Sequence, residues 1–336
     1  MKKTSWLSVI VFILCATTSC WQNQGNNTKQ DDVPRISLRQ GWFPWAGYAG
    51  ELIAMYDLDS IHGVDFVIEP GADDIDPMKM VLSGSNDFGI TSAEAIVTAN
   101  EKGANLVVIG VVNYKSPTCF ISLAENNIKS PYDFEGKKVG ILTGSETETV
   151  YRTLVKKLNL DTKKITEVEA PYDLKTFINK AYDVYPGFIY SEPIALELQN
   201  IKYNLIKPED YGVELIGAVY FTSRSMINKK PELVQAFVDI ISAGWKEALE
   251  NPEKAIEYLK KYDNSIDYQR ELASLMKGKE YFAGEDNRVL YASDSSWMEL
   301  NKALRELGKV GPDNDISKSF DNDFIVYHEK IRKNGL

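Results

Sequence analysis

The chain has 336 residues, 44 % of them hydrophobic, and a formal net charge of −10. An acidic body repels the phosphate backbone of nucleic acids and anionic membrane surfaces, and no basic tail or patch offsets it, so nucleic-acid binding is set aside. The length is enough for one large core or for two lobes of ordinary domain size.

Met1-Lys2-Lys3 opens a positively charged segment, residues 6–16 are apolar, and Thr17-Thr18-Ser19-Cys20 places small residues before a cut. The apolar stretch falls short of the roughly 20 residues that a bilayer-spanning helix requires. Residues 1–19 therefore read as an export signal. The small residues ending at Cys20 resemble a bacterial lipoprotein box, with Thr17 where such a box usually has Leu. On that resemblance Cys20 becomes the first mature residue and carries fatty acyl chains such as palmitate, which anchor the protein to the cell membrane facing the periplasm or the outside. The alternative is a soluble secreted protein cut nearby. Losing Lys2 and Lys3 from a net charge of −10 leaves the mature body at about −12. Residues 20–33 are polar, lack hydrophobic periodicity and read as a flexible tether. Of the three cysteines, Cys15 leaves with the signal and Cys20 is lipidated. Cys119 then has no disulfide partner and is expected to pack as a small apolar residue.

From Arg35 onward, short β-like runs alternate with helical stretches: residues 35–38, 49–56, 64–68, 77–82, 88–91 and 93–102. That succession predicts βαβ units and a mostly parallel sheet. Residues 105–112 are continuously apolar, as suits a strand covered on both faces. After Tyr114-Lys115-Ser116-Pro117 a second set begins, with strands over 119–123, 138–142, 165–168 and 187–190 and helices over 146–158, 174–181 and 194–199. Residues 215–221 read as a strand returning to the first lobe. Helices follow over 231–249, 253–262, 268–276 and 295–307. The chain thus crosses between two α/β lobes twice, near 112–116 and near 217–222. The lobes comprise residues 34–115 with 218–336, and residues 116–217. Two crossings make a hinge.

Trp42 and Trp45 follow the first strand and open the first helix, a position where open α/β folds bind ligands. Gly41 and Gly47 let backbone come close, and the rings suit stacking on a flat ligand. The plainer alternative is that both tryptophans are ordinary core residues, although Trp is rarely fully buried. Thr91 and Ser92 lie at a second strand-to-helix turn. Thr143, Gly144 and Ser145 lie at a third, offering hydroxyls and free N–H groups to a polar or anionic group, although Ser145 ahead of Glu148 also makes a capping box. Tyr190 and Glu192 form a fourth, where the carboxylate accepts hydrogen bonds from an amino group or simply satisfies a helix dipole. Tyr114 completes the expected lining at the crossing. His62 and His328 are the only histidines, and no spacing suits zinc, a serine nucleophile or a nucleotide loop. No catalytic residue, metal or cofactor is assigned.

The order Trp42-x-Pro44, Gly47, Asp87-Phe88-Gly89-Ile90, Gly136-Lys137-Lys138-Val139-Gly140 and Tyr190-x-Glu192-Pro193 resembles the solute-binding proteins of bacterial ABC importers. The best match is the branch that binds thiamine pyrimidine precursors and shares its fold with the fungal enzyme making that pyrimidine. The resemblance implies a two-lobe, type II periplasmic binding protein, each lobe a mostly parallel sheet with helices on both faces. It implies a monomer that captures a small flat heterocycle between closing lobes and presents it to a membrane permease. It also points to Trp42, Thr91, Ser92, Tyr190 and Glu192 as ligand contacts. The branch usually has Asp, Asn and His where this chain has Gly41, Trp45 and Tyr48, which makes the pocket more apolar and less directional. Relatives binding sulfonates, taurine, nitrate or flavin therefore stay as alternatives, with Lys115 and Arg224 the cations an anion binder would use. A synthase needs iron-binding cysteines and a donor histidine, against a lone Cys119 and a His62 expected away from the cleft. A sensor that feeds no importer is the third class of function.

Overall fold

The alternation of residue character along Arg35–Arg39 sets the first element, because Ile36 and Leu38 turn inward while Arg35 faces solvent, as a strand of period two requires. In the computed structural model, which describes residues 33–284 and 286–333, this is β1. The expected signal, Cys20 and all but the last residue of the tether lie outside the described residues. β2 (Asp65–Glu69), β3 (Phe88–Ser92) and β4 (Leu106–Val111) follow, and then β5 (Thr118–Leu123), β6 (Lys138–Ile141), β7 (Thr166–Glu169), β8 (Val184–Phe188), β9 (Tyr203–Ile206) and β10 (Ala218–Ser223). They form two five-stranded sheets, ordered β2-β1-β3-β10-β4 and β7-β6-β8-β5-β9, with helices around them. The molecule is a two-lobe α/β protein.

Each sheet is mixed. In the first, β1 pairs in parallel with β2 and β3, whereas β10 runs antiparallel to β3 and β4. In the second, β6 pairs in parallel with β7 and β8, whereas β5 runs antiparallel to β8 and β9. The reversed strands are the ones the chain enters directly after changing sheets. The two connectors lie side by side: Val112 N–H donates to the Ala218 carbonyl (2.8 Å), Gly217 N–H to Asn113 (3.0 Å) and Ser116 N–H to Leu215 (2.6 Å). This pairing holds Leu215–Gly217 out of the sheet, so β10 starts at Ala218, later than the apolar run suggests.

Outward edges are managed locally. Val108 N–H donates to Ser319 (2.8 Å) and Val111 N–H to Leu290 (2.9 Å), so late segments of the chain cover β4. The helix Pro231–Glu250 starts with Pro at its first turn and lays an apolar stripe against the first sheet. Phe237 stacks on Phe88 with centroids 3.9 Å apart and meets Tyr220 edge-on at 5.7 Å. Among the described residues no helix is long and apolar enough to cross a membrane.

One polar knot is sealed in this region. Glu51, on the helix Ala49–Ile53, is fully buried. Gln40 Nε2 donates to it at 2.7 Å and Tyr220 OH at 2.9 Å, and Trp245 Nε1 in turn donates to Tyr220 OH at 2.9 Å. Burial pushes Glu51 up to about 8 against the pull of those two hydrogen bonds.

Candidate functional site

Strand direction builds the site. Four strands of each sheet run toward the space between the sheets, and the turns after β1, β3, β4, β6 and β8 all open on it. The result is a crevice of about 750 Å³, within the usual range for small-molecule sites.

Its walls are aromatic. The Trp45 ring stacks on Tyr190, with centroids 5.5 Å apart and planes at 22°, and on Phe188 at 6.3 Å and 20°. The indole lies over Gly47, where any side chain would collide with it. Trp42 instead sits beside Tyr172 across the crevice (5.1 Å) and against Phe43, and both Phe43 and Tyr172 are largely exposed. The two tryptophans therefore occupy different depths, Trp45 within the crevice and Trp42 at its rim.

Trp42, Trp45, Tyr48, Thr91, Ser92, Ser145, Tyr190 and Glu192 all line this space. Tyr48 is buried, and burial together with the nearby Glu51 carboxyl drives its phenol strongly upward. Ser92 Oγ donates to Glu94 at 2.9 Å. Ser145 Oγ caps its helix, accepting from Glu148 N–H at 3.4 Å, and donates to the Leu142 carbonyl at 2.7 Å. Glu192 accepts from Phe188 N–H at 2.7 Å and from Ser191 Oγ at 3.3 Å, while burial raises its pKa. Both of its oxygens thus already brace the turn that carries Phe188 and Tyr190.

Tyr114, Thr143 and Gly144 are not among the lining residues. Tyr114 packs against a hydrophobic cluster that includes Phe120 and Tyr151. β6 ends at Ile141, and the turn places Thr143 and Gly144 outside before the chain re-enters at Ser145. Thr143 Oγ1 donates to Glu169, and Gly144 N–H donates to Glu148 at 2.7 Å. Lys115 and Arg224 are also elsewhere: Lys115 pairs with Glu209 at 2.8 Å, and Arg224 donates to the Lys318 carbonyl at 3.0 Å. His62 is exposed in a turn, and Cys119 is buried in β5 with its thiol pushed well up by burial.

Sequence reasoning missed several lining groups. Asn113 sits on the connector after β4 and accepts a hydrogen bond from Tyr190 OH at 3.4 Å. Glu146, the first residue of the helix Glu146–Lys157, is buried and accepts from Ser116 Oγ. Burial, reinforced by the Glu94 carboxyl, pushes Glu146 up to about 8. The helix Tyr268–Phe282 adds Arg270 and Glu271, and Glu271 accepts from Ala46 N–H at 2.7 Å, pinning the tryptophan loop. Glu146 had a readable signal, an acidic residue at a helix start after a strand. Arg270 and Glu271 had none, since only the tertiary fold brings their helix to the crevice.

The charge count is lopsided. Among the described residues the lining holds five carboxyl groups (Glu146, Glu192, Asp263, Asp267 and Glu271) and a single cation, Arg270. Arg270 lies 3.7 Å from Glu271. Among the described residues no cluster of three or more His, Cys, Asp or Glu could hold a metal ion.

Comparison with known proteins places this geometry among relatives. The profile of the family described as NMT1/THI5 like matches residues 60–255. A 4-amino-5-hydroxymethyl-2-methylpyrimidine phosphate synthase from Legionella pneumophila is 24 % identical over 296 residues, 87 % of this chain and 92 % of that protein. A formylaminopyrimidine-binding protein from Halalkalibacterium halodurans is 23 % identical over 263 residues, 77 % of this chain and 79 % of that protein. Among solved structures, a putative periplasmic sulfonate-binding protein of an ABC transporter from Methylobacillus flagellatus superposes with a TM-score of 0.71. It is 14 % identical and covers 90 % of this chain and 96 % of that one. The fold is that of the periplasmic binding proteins.

Proposed function

Because the chain belongs to the NMT1/THI5-like family, we propose that its crevice captures a small, flat, amine-bearing heterocycle of the aminopyrimidine type and releases it unaltered to a membrane permease. The observation that carries this reading is the stacked wall of Trp45, Tyr190 and Phe188, whose rings come from both sheets: Trp45 from the turn after β1, Phe188 from the end of β8 and Tyr190 from the turn after it. A ligand lying on that wall touches both lobes, and contacts made to both favour the closed arrangement over the open one. The acidic lining decides between ligand classes. Five carboxyl groups against one guanidinium favour amines and basic rings over sulfonate or nitrate, because a buried anion finds only Arg270, itself beside Glu271, to offset its desolvation cost, whereas an amine finds acceptors. The formylaminopyrimidine-binding relative supports the same class.

Export by the residue 1–19 signal, lipidation at Cys20 and a monomer docking on an ABC permease are consistent with this family and fold. The lobes are taken as 34–115 with 218–336 and as 116–217, a division supported by β1–β4 and β10 forming one sheet and β5–β9 the other. A synthase reading draws on the Legionella relative. Against it, a donor histidine and a reactive thiol would have to reach the ligand, whereas His62 is exposed in a turn and Cys119 is buried within β5.

A thermal-shift screen of the purified body tests the reading, since a bound ligand raises apparent stability by mass action. Aminopyrimidines are expected to raise the melting temperature, with flavins, alkanesulfonates and nitrate giving no shift. A shift with sulfonates alone would overturn the ligand class, and conversion of the pyrimidine into a new product would overturn the binding role.

A further inference from the structure

Besides the aromatic wall, the lining of the crevice holds polar groups that the fold leaves partly unpaired. Asn113 is 2 % exposed and lines the crevice, and its Nδ2 has no hydrogen-bond partner among the described residues. Leaving a buried amide donor unpaired is costly, and such exceptions call for an explanation. The Asn113 oxygen is occupied, accepting from Tyr190 OH at 3.4 Å, which fixes the amide so that the free edge is the donor. Glu146 stands beside it. A β-carbon built on Gly217 would lie 2.9 Å from Asn113 Cβ and 3.2 Å from Glu146 Oε1, so the two side chains converge where Gly217 leaves room for both. Ser116 Oγ donates to Glu146 Oε1, which leaves Oε2 available to a ligand.

We infer that Asn113 and Glu146 form the specificity-determining edge of the site, reading a heteroaromatic ring nitrogen and the exocyclic amine next to it. Asn113 Nδ2 donates to the ring nitrogen, and the Glu146 carboxyl accepts from the amine. This inference rests on the aminopyrimidine reading above and assigns the atoms that enforce it. The groups around Glu146 suit the role. Glu94 faces it from the first lobe, hydrogen-bonded to Ser92. Lys309 is directed to Thr149 Oγ1 at 2.6 Å and acts on Glu94 instead. Tyr190 is close enough for the Glu146 carboxyl to push its phenol upward. No cation is paired to Glu146 among the described residues, and burial together with the Glu94 carboxyl pushes it up to about 8, so an amine that donates to it supplies the partner that the fold does not. A ligand that lacks the amine leaves the edge unpaired, and buried unpaired groups discriminate more strongly than apolar contacts do.

The test uses two probes that differ only at the edge, 5-aminomethyl-2-methylpyrimidine with and without a 4-amino group, titrated calorimetrically into the native protein, Asn113→Leu and Glu146→Gln. Native protein is expected to prefer the 4-amino probe. Glu146→Gln is expected to bind the 4-amino probe about tenfold more weakly while binding the other probe as before, and Asn113→Leu to bind both probes about tenfold more weakly because both keep the ring nitrogen, each being the loss expected for one buried hydrogen bond. Because Asn113 lies on a connector between the sheets, Asn113→Asp, of nearly the same shape, serves as the second variant, and melting curves confirm that each protein is folded. Undiminished preference for the 4-amino probe in folded Glu146→Gln, or undiminished affinity for both probes in folded Asn113→Leu, overturns the inference while leaving the stacking site intact. If native protein binds neither probe, the aminopyrimidine reading itself has failed.

Discussion

Two buried carboxyl groups, Glu51 and Glu146, are both pushed up to about 8 by burial, yet their surroundings differ completely. Glu51 is closed into a chain of donors from Gln40, Tyr220 and Trp245 beneath the first sheet, with no access to the crevice. Among the described residues Glu146 has Ser116 as its one side-chain hydrogen-bond donor and stands next to an Asn113 amide whose Nδ2 has no partner. The same residue type under the same desolvation is structural where its neighbours satisfy it and available for recognition where they do not. An elevated pKa alone does not separate the two cases; the state of the neighbouring hydrogen bonds does.

Breaking the sealed knot is expected to have the largest effect. Glu51→Leu orphans the Gln40 amide and the Tyr220 hydroxyl and should cost about 3 kcal/mol in denaturant melts, with ligand affinity of the folded protein unchanged. A matching loss of affinity would show that the knot also shapes the crevice. Next comes the aromatic wall. Trp45→Ala should weaken aminopyrimidine binding by about 2 kcal/mol or more, as expected for a central aromatic anchor, and Trp42→Ala by about 1 kcal/mol, since Trp42 stands at the rim. Calorimetry giving the reverse order would move the stacking site outward to Tyr172.

The two carboxyl groups also predict a shared pH signature. Each has a folded-state pKa near 8, above its ordinary value of 4.5, so the folded protein keeps protons that the unfolded chain has released. Their contribution is fully present below pH 4.5, declines as pH rises toward 8 and is level beyond. Glu51→Gln should flatten part of that decline in melts of the free protein, whereas a saturating aminopyrimidine should alter only the part due to Glu146. Identical slopes in native and Glu51→Gln protein would show that Glu51 is ionised when buried. The smallest effect is expected from Glu192→Gln. Its oxygens already accept from Phe188 N–H and Ser191 Oγ, so binding should weaken by less than about 1 kcal/mol. A loss of about 1.5–3 kcal/mol would mark a direct charge-assisted contact with the ligand.

The parts of this design that were legible in the sequence are those written in local chemistry. β1 shows its alternation, β4 its continuous apolar run, and the tryptophan loop its glycines and its place after a strand. Other parts depend on distance along the chain. β9, with its half-polar sequence Tyr203-Asn204-Leu205-Ile206, pairs with one neighbour only and carries no strong pattern. β8 lies earlier than its apolar signal suggests, because Pro186 and Gly187 sit inside the strand and Tyr190 in the turn beyond. Asn113 reads as a polar interruption between strands, and only the pairing of the two connectors turns it toward the crevice. Thr143 and Gly144 looked like ligand contacts because their turn has the right composition, but composition does not say which side of a turn faces inward.

The account stands or falls most directly on a calorimetric titration of native protein with 4-amino-5-aminomethyl-2-methylpyrimidine, run beside ethanesulfonate under the same conditions. It predicts saturable, one-to-one binding of the pyrimidine and no heat from the sulfonate. Saturable binding of the sulfonate with none of the pyrimidine would contradict it.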